Sequence, residues 1–460
     1  MILRLAFLWL VILLSANKMK RFWIETGMAV VEHDNKRIDV QSLAGHLLAA
    51  IPFLVLAYTF LIWPLLYGRS VEGNLIENII ASSPDASSNA LLNRIYLPLV
   101  FILSLGLFFL QGKRITIPFR DPAIFGLLAV LIAFATSLLW SDYAGIGLRR
   151  LVVQCFIVGS IMLACFGAPR PMRIFDILFL FAGFLVVLNL AAVAIKPPGP
   201  LGHEGIYPQK NYLGLVAVTS SLLALYKIVF GRGLWRLAGG GVWLVALVLL
   251  VASQSKTSLG LAFLAPAAGI GVAVLAHQLR LWSGLVVFVA IGFLLFAYFF
   301  GEAAFVWDFS SLAQAIFGDP TLTSRTDIWA FSGDMINQRP LLGYGFGSFW
   351  STGDSGPVAR LAPGFVARLN HSHNGYYDII IQVGFVGFMV FLAFLFCLLN
   401  TAGAAVRRRF KLSWLFLTLV IYVMSSNLME TSYFYGFGSS TTLLLVALTL
   451  AAREKLEAVG

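Results

Sequence analysis

Apolar residues in this chain gather into runs of about 20, the length at which a helix crosses the hydrocarbon core of a bilayer. The runs fall near 43–67, 95–110, 122–140, 150–166, 174–195, 212–230, 234–252, 258–276, 281–300, 375–400, 413–429 and 437–452. None shows the apolar–polar alternation of a barrel strand, and only helices and closed barrels satisfy the backbone inside a membrane. The pattern therefore predicts an all-α polytopic membrane protein of about twelve transmembrane helices. An earlier apolar stretch, Leu3 to Leu14, is shorter than a span. It reads as a signal-like segment or as sequence upstream of the true start, with Lys18 to Asp39 as a polar tail.

Composition removes the main competing class. A chain of 460 residues could hold two or three soluble domains, but this one is 59% hydrophobic and 12% charged. Its mean hydropathy of +0.88 overrides that expectation. The net charge of +11 reads as the positive-inside bias of membrane loops, and no nucleic-acid partner is expected. Cys155, Cys165 and Cys397 all lie inside apolar runs, so they are expected to pack and not to form disulfides.

The basic residues also set sidedness. Gly112-Lys113-Arg114, Arg170 to Arg173, Arg232 to Arg236, Arg280 and Arg407 to Lys411 fall on alternate connections. Together with both termini, these are expected to be cytoplasmic. The connections 68–94, 141–149, 196–211, 253–257, 301–374 and 430–436 then face outward. The expected organisation is an N-terminal cytoplasmic tail over 1–42, helices one to nine over 43–300, an outer loop domain over 301–374, and helices ten to twelve with a C-terminal tail over 375–460. Within the long loop, Thr326 to Asn337 reads as a short helix and Arg339 to Gly347 as a run of turns.

Cations on the outer side run against this bias, so each needs a reason. Arg149 and Arg150 adjoin a span after Trp140-Ser141-Asp142; Lys210 precedes a span in Pro208-Gln209-Lys210-Asn211; Lys256 lies between two spans in Ser255-Lys256-Thr257-Ser258. Singly, each reads as a side chain snorkelling at the interface. Collectively they form a collar suited to a phosphate or pyrophosphate, with Asn211 as a neighbouring donor. Arg325 stands at an expected helix start, where the helix dipole adds anion affinity.

Two histidines complete the set. His371-Ser372-His373-Asn374 closes the long loop and opens an apolar helix. Two imidazoles without a carboxylate cluster make a poor metal site. As the N-cap of the next helix, Asn374 would hold His373 beside positive dipole charge, favouring a neutral, proton-accepting ring. Asp378, one turn on, reads either as orienting an imidazole or as a solvated acid. The chain has no GxxxxGK loop, no GxGxxG after a strand and no HExxH helix. Outward-facing chemistry without a nucleotide needs a pre-activated substrate.

These segments resemble the superfamily of O-antigen ligases and of O-antigen and exopolysaccharide polymerases. The matching elements, in order, are Pro208-Gln209-Lys210-Asn211-Tyr212-Leu213-Gly214, Ser253-Gln254-Ser255-Lys256-Thr257-Ser258, Ser324-Arg325-Thr326-Asp327-Ile328-Trp329, Arg339-Pro340-Leu341-Leu342-Gly343-Tyr344-Gly345 and His371-Ser372-His373-Asn374-Gly375. The resemblance implies a metal-independent, inverting transferase in the bacterial inner membrane, with its active site facing the periplasm. Its donor would be an undecaprenyl-pyrophosphate-linked glycan, without a cofactor. His373 would be the catalytic base and Arg325 the loop arginine. Arg149, Arg150, Lys210 and Lys256 would hold the pyrophosphate, supported by Asn211, Asn374 and His371.

The acceptor would be a second lipid-linked glycan for a polymerase or the lipid A core for a ligase; Ser255-Lys256-Thr257-Ser258 and His373-Asn374-Gly375-Tyr376-Tyr377-Asp378 look more like exopolysaccharide polymerases, with the ligase as the alternative. A chain-length regulator protein is a further expected partner. The alternative from another class is a transporter of lipid-linked sugar, which calls for ionisable residues near the bilayer midplane and paired broken helices.

Overall fold

A computed structural model describes residues 40–67, 91–112, 117–199, 201–305, 308–317, 319–322, 324–405, 408–436 and 438–457. The stretch Leu3 to Leu14 and the tail that follows it lie outside these residues. The described chain is helical, and in order its helices are α1 (Val40–Leu48), α2 (Ile51–Ala57), a π-helical turn (Tyr58–Ile62), α3 (Trp63–Tyr67), α4 (Leu91–Leu110), α5 (Pro122–Ser137), α6 (Ala144–Gly167), α7 (Arg173–Ile195), α8 (Lys210–Phe230), α9 (Leu234–Ser253), α10 (Lys256–Gln278), α11 (Ser283–Phe305), α12 (Phe309–Phe317), α13 (Arg325–Gln338), α14 (Pro357–Leu361), α15 (Gly375–Gly403), α16 (Phe410–Ser426) and α17 (Ser439–Glu457).

Each expected span falls on one helix except 43–67, which runs over α1, α2, the π-helical turn and α3. Among the described residues, eight helices are long and apolar enough to cross a membrane, or nine when the bent pair beginning at Val40 counts as one. α4, α16 and α17 are shorter or more polar. One boundary moves in a way that matters: α6 starts at Ala144, so Arg149 and Arg150 lie inside its first two turns and do not cap it.

Burial separates the helices into centre and rim. α16 and α17 are buried along nearly their whole length. The α17 interface uses the small hydroxyls Thr441 and Thr449, which donate hydrogen bonds to the Ser432 and Leu445 carbonyls. Small polar residues let membrane helices approach closely while staying satisfied. α11 is the opposite case, apolar all round yet with only 17% of its spanning window buried; such a helix turns most of its surface to lipid.

Two glycines shape the outer face. Gly214 on α8 lies so close to α10 that an added Cβ would sit 2.7 Å from the Ser255 Cβ and 2.8 Å from the Ser258 hydroxyl. This contact brings the starts of α8 and α10 together. Gly384 breaks α15 at φ 64°, ψ −175°. Backbone groups released by a break inside a membrane protein must be satisfied by other protein atoms. The segment from Arg339 onward does this: Tyr344 N donates to Ile381 O and Gly345 N to Gln382 O, each at 2.8 Å, while Phe385 N donates to Pro340 O at 2.8 Å. Gly343 and Gly345 have φ of 68° and 97°, the left-handed conformation that this docking requires. The turns expected over 339–347 thus plug a broken helix.

The outer loop has a core of its own. Ile328, Phe331 and Met335 from α13 pack with Phe349, Trp350, Val366 and Leu369, and Ile381 of α15 anchors that cluster to the bundle. The expected helix 326–337 is α13.

Candidate functional site

The segment from His371 to Asn374 is held by its own hydrogen bonds. Asn374 caps α15, accepting from Tyr376 N at 3.0 Å and Tyr377 N at 3.2 Å. The Ser372 hydroxyl donates to Asn374 O at 2.7 Å, and His373 N donates to His371 Nδ1 at 3.1 Å. That last bond makes His371 Nδ1 an acceptor, so the neutral ring carries its proton on Nε2. His373 adopts φ 53°, a left-handed conformation that costs a non-glycine residue roughly 1–3 kcal/mol and survives only where the surroundings fix it.

Asp378 does not orient an imidazole. Its buried carboxylate accepts from Ser372 N at 3.2 and 3.3 Å, Trp350 Nε1 at 2.7 Å and Thr431 Oγ1 at 2.5 Å. It therefore ties together the histidine loop, the outer-loop core and the connection after α16. Two more bonds close the same seam: Gly375 N to Asn427 O at 2.8 Å and Asn374 Nδ2 to Leu428 O at 3.2 Å. An added Cβ at Gly375 would strike the Asn427 side chain, so only glycine permits this approach.

The seam delivers Glu430 to His373. Glu430 Oε2 lies 3.0 Å from His373 Nδ1, and Glu430 Oε1 lies 2.7 Å from Arg325 Nη2. Asn211 Nδ2 donates to Oε1 at 3.4 Å. Burial alone would push the Glu430 carboxyl up, but the charges of His373 and Arg325 outweigh it and hold the group down to about 2. A carboxylate at Nδ1 places the proton there in the neutral ring and leaves Nε2 as the basic nitrogen. Among the described residues that Nε2 is buried with no hydrogen-bond partner, and so is Arg325 Nε.

His371, His373, Arg325, Glu430, Asn211, Lys210 and Lys256 all line one cavity of about 350 Å³. Its lower wall is apolar, formed by Leu215, Val218, Leu261 and Tyr422 between α8, α10 and α16. Lys210, Lys256 and Arg325 are the first residues of α8, α10 and α13, and none of those three helices has a side-chain N-cap hydrogen bond. Cations at helix N-termini oppose the macrodipole by about 0.3–1 kcal/mol each. The arrangement is unfavourable for the protein alone and favourable for a bound anion. Glu204 and Asp319 also line the cavity. Burial pushes the Glu204 carboxyl up, with Lys196 opposing, while Asp319 accepts from Thr321 N and Oγ1 at 2.9 and 2.8 Å. Among the described residues no group of three or more His, Cys, Asp or Glu is arranged to hold a metal ion.

Arg149 and Arg150 are not part of this collar. Arg150 donates to the carbonyls of Gly347, Trp350 and Ser351 at 2.6, 2.8 and 3.2 Å, clamping the outer loop to α6. Arg149 is exposed, and it is absent from the cavity wall. Charge bias singled out both residues, but Arg150 anchors the loop. Conversely, Glu430 escaped the sequence reading. Its signal was there: a lone acid in the short outward connection directly after an apolar run.

The fold and the cavity define a class, a polytopic helical membrane protein whose cavity gathers an imidazole–carboxylate pair and three basic side chains at helix starts. Residues 240–392 match the family model described as O-antigen ligase. The chain is also 30% identical over 204 residues to the exopolysaccharide production protein ExoQ of Rhizobium meliloti (strain 1021), a match that covers 42% of this chain and 45% of that protein. Over these stretches the chain is similar to O-antigen ligases and to an exopolysaccharide production protein, and it spans less than half the length of that curated relative.

Proposed function

We propose that this protein transfers a glycan from an undecaprenyl-pyrophosphate-linked donor to an acceptor hydroxyl at the outer, periplasmic face of the bacterial inner membrane. One observation carries the reading: a histidine whose Nδ1 is fixed by a carboxylate shares its cavity with three cations at uncapped helix starts. The first element activates a hydroxyl. The second stabilises a pyrophosphate leaving group.

In this mechanism the acceptor O–H gives its proton to His373 Nε2. The oxygen attacks the anomeric carbon from the side opposite the pyrophosphate, and the bond from that carbon to the pyrophosphate oxygen breaks with inversion. Undecaprenyl pyrophosphate leaves with the electron pair and its charge is met by Lys210, Lys256 and Arg325. Glu430 stabilises the imidazolium formed. No step uses a metal or cofactor.

Similarity to an exopolysaccharide production protein favours a polymerase, in which the acceptor is a second lipid-linked glycan. The O-antigen ligase model supports the second reading, attachment to the lipid A core. Purified protein given a synthetic lipid-pyrophosphate oligosaccharide, with and without lipid A core, tests both. Lengthened lipid-linked glycan supports the polymerase and a glycan-modified core supports the ligase. Unchanged substrates with a folded protein would contradict the proposal.

A further inference from the structure

A second cavity, of about 440 Å³, lies at the far ends of the helices that carry the first. Lys210 and Ser426 line the His373 cavity; Phe230 and Phe410, at the opposite ends of α8 and α16, line this one. With 21 and 17 residues in those helices and a rise of about 1.5 Å per residue, the two sites stand roughly 25–30 Å apart, near the thickness of a bilayer core. The second cavity therefore sits at the opposite membrane boundary.

Its walls combine two kinds of surface. Met172, Phe230, Phe416 and Leu450 form an apolar floor. Phe230 and Phe410 remain 36% and 38% exposed beside it, so the floor is continuous with side chains at lipid depth. The rim carries four cations, Arg408, Arg409, Lys411 and Arg453, against two carboxylates, Glu454 and Glu457. Both carboxylates are already engaged, by Arg409 at 2.7 Å and Arg453 at 2.8 Å. The cavity therefore carries a positive excess.

We propose that this cavity binds the headgroup of an anionic phospholipid from the leaflet opposite the His373 site. The phosphate would sit on the basic rim at Lys411, with glycerol and the first acyl methylenes against Phe230, Phe416 and Leu450. Basic pockets between membrane helices select anionic headgroups electrostatically. The aromatic floor at bilayer depth favours a lipid over a soluble phosphate or an acidic peptide, neither of which has acyl chains to place there. The proposal is independent of the transfer chemistry.

The test uses the full-length protein in a neutral detergent, titrated with phosphatidylglycerol or phosphatidylcholine, with bound lipid counted by native mass spectrometry. Wild-type protein should bind phosphatidylglycerol saturably and more tightly than phosphatidylcholine. Arg408→Gln combined with Lys411→Gln should weaken phosphatidylglycerol roughly 30-fold, while Arg408→Lys with Lys411→Arg retains it. If the double glutamine variant is unstable, the exposed Lys411→Gln alone should weaken binding roughly fivefold. Equal binding of the two lipids, or unchanged phosphatidylglycerol binding in the glutamine variants, overturns the proposal. Competition by glycerol 3-phosphate at the same concentrations as the lipid would identify a soluble phosphate ligand and overturn it equally.

Discussion

The carboxylate of Glu430 meets the imidazole of His373 at 3.0 Å across 57 residues of chain, and its other oxygen meets Arg325 at 2.7 Å. One acid thus joins the two side chains that the proposed chemistry needs most. Glu430→Gln keeps the shape but removes the charge and the preference for a proton on Nδ1. Transfer should fall by roughly 10²–10⁴, as when an orienting carboxylate is neutralised elsewhere. Glu430→Asp should recover part of it. Transfer that stays at the wild-type rate in a folded Glu430→Gln variant would show that Glu430 acts only in folding.

Glu430 also makes a pH prediction for stability. Its folded value, about 2, lies below its ordinary 4.5. A depressed acid contributes stability that is fully present above the unfolded value and is lost as pH falls through the folded one. Thermal unfolding midpoints of the wild type should therefore decline between pH 4.5 and about 2, and Glu430→Gln should flatten that part of the curve.

The cavity cations and Arg150 should separate cleanly. Lys210→Ala or Lys256→Ala should raise the KM for the lipid-pyrophosphate donor by roughly 10–100-fold, the loss expected for one charge-assisted contact. Arg150→Ala should instead lower the unfolding temperature, because three loop carbonyls lose their donor, with donor KM changed little. Steady-state kinetics and a thermal scan on the same preparations distinguish the two.

Gly214→Ala tests how the lysines are brought together. Its Cβ would meet Ser255 at 2.7 Å, so α8 and α10 must part. The change should cost about 1–3 kcal/mol of stability and raise donor KM as well. Gly240→Ala, on a surface with nothing within 4 Å, is the control and should do neither.

Much of the fold was legible because membrane helices announce themselves by length and hydropathy, and the cap at Asn374 is a local rule with a local signal. Lys210, Lys256 and Arg325 stood out as cations against the charge bias on one face, and His373 as the imidazole before the Asn374 cap. What stayed hidden was pairing. Nothing local says that Asp378 faces Trp350 and Thr431, or that Glu430 reaches back to His373, since both depend on how α15 and α16 meet. Arg150 was misjudged for the same reason, as its acceptors are main-chain carbonyls with no sequence signature. The break at Gly384 was equally silent until the 339–347 segment was seen docked in it.

The most direct measurement is single-turnover release of undecaprenyl pyrophosphate from a lipid-linked oligosaccharide, comparing the wild type with His373→Ala at saturating donor. The account predicts unchanged donor affinity and a release rate reduced by roughly 10²–10⁴. Release at the wild-type rate from the folded alanine variant would contradict it.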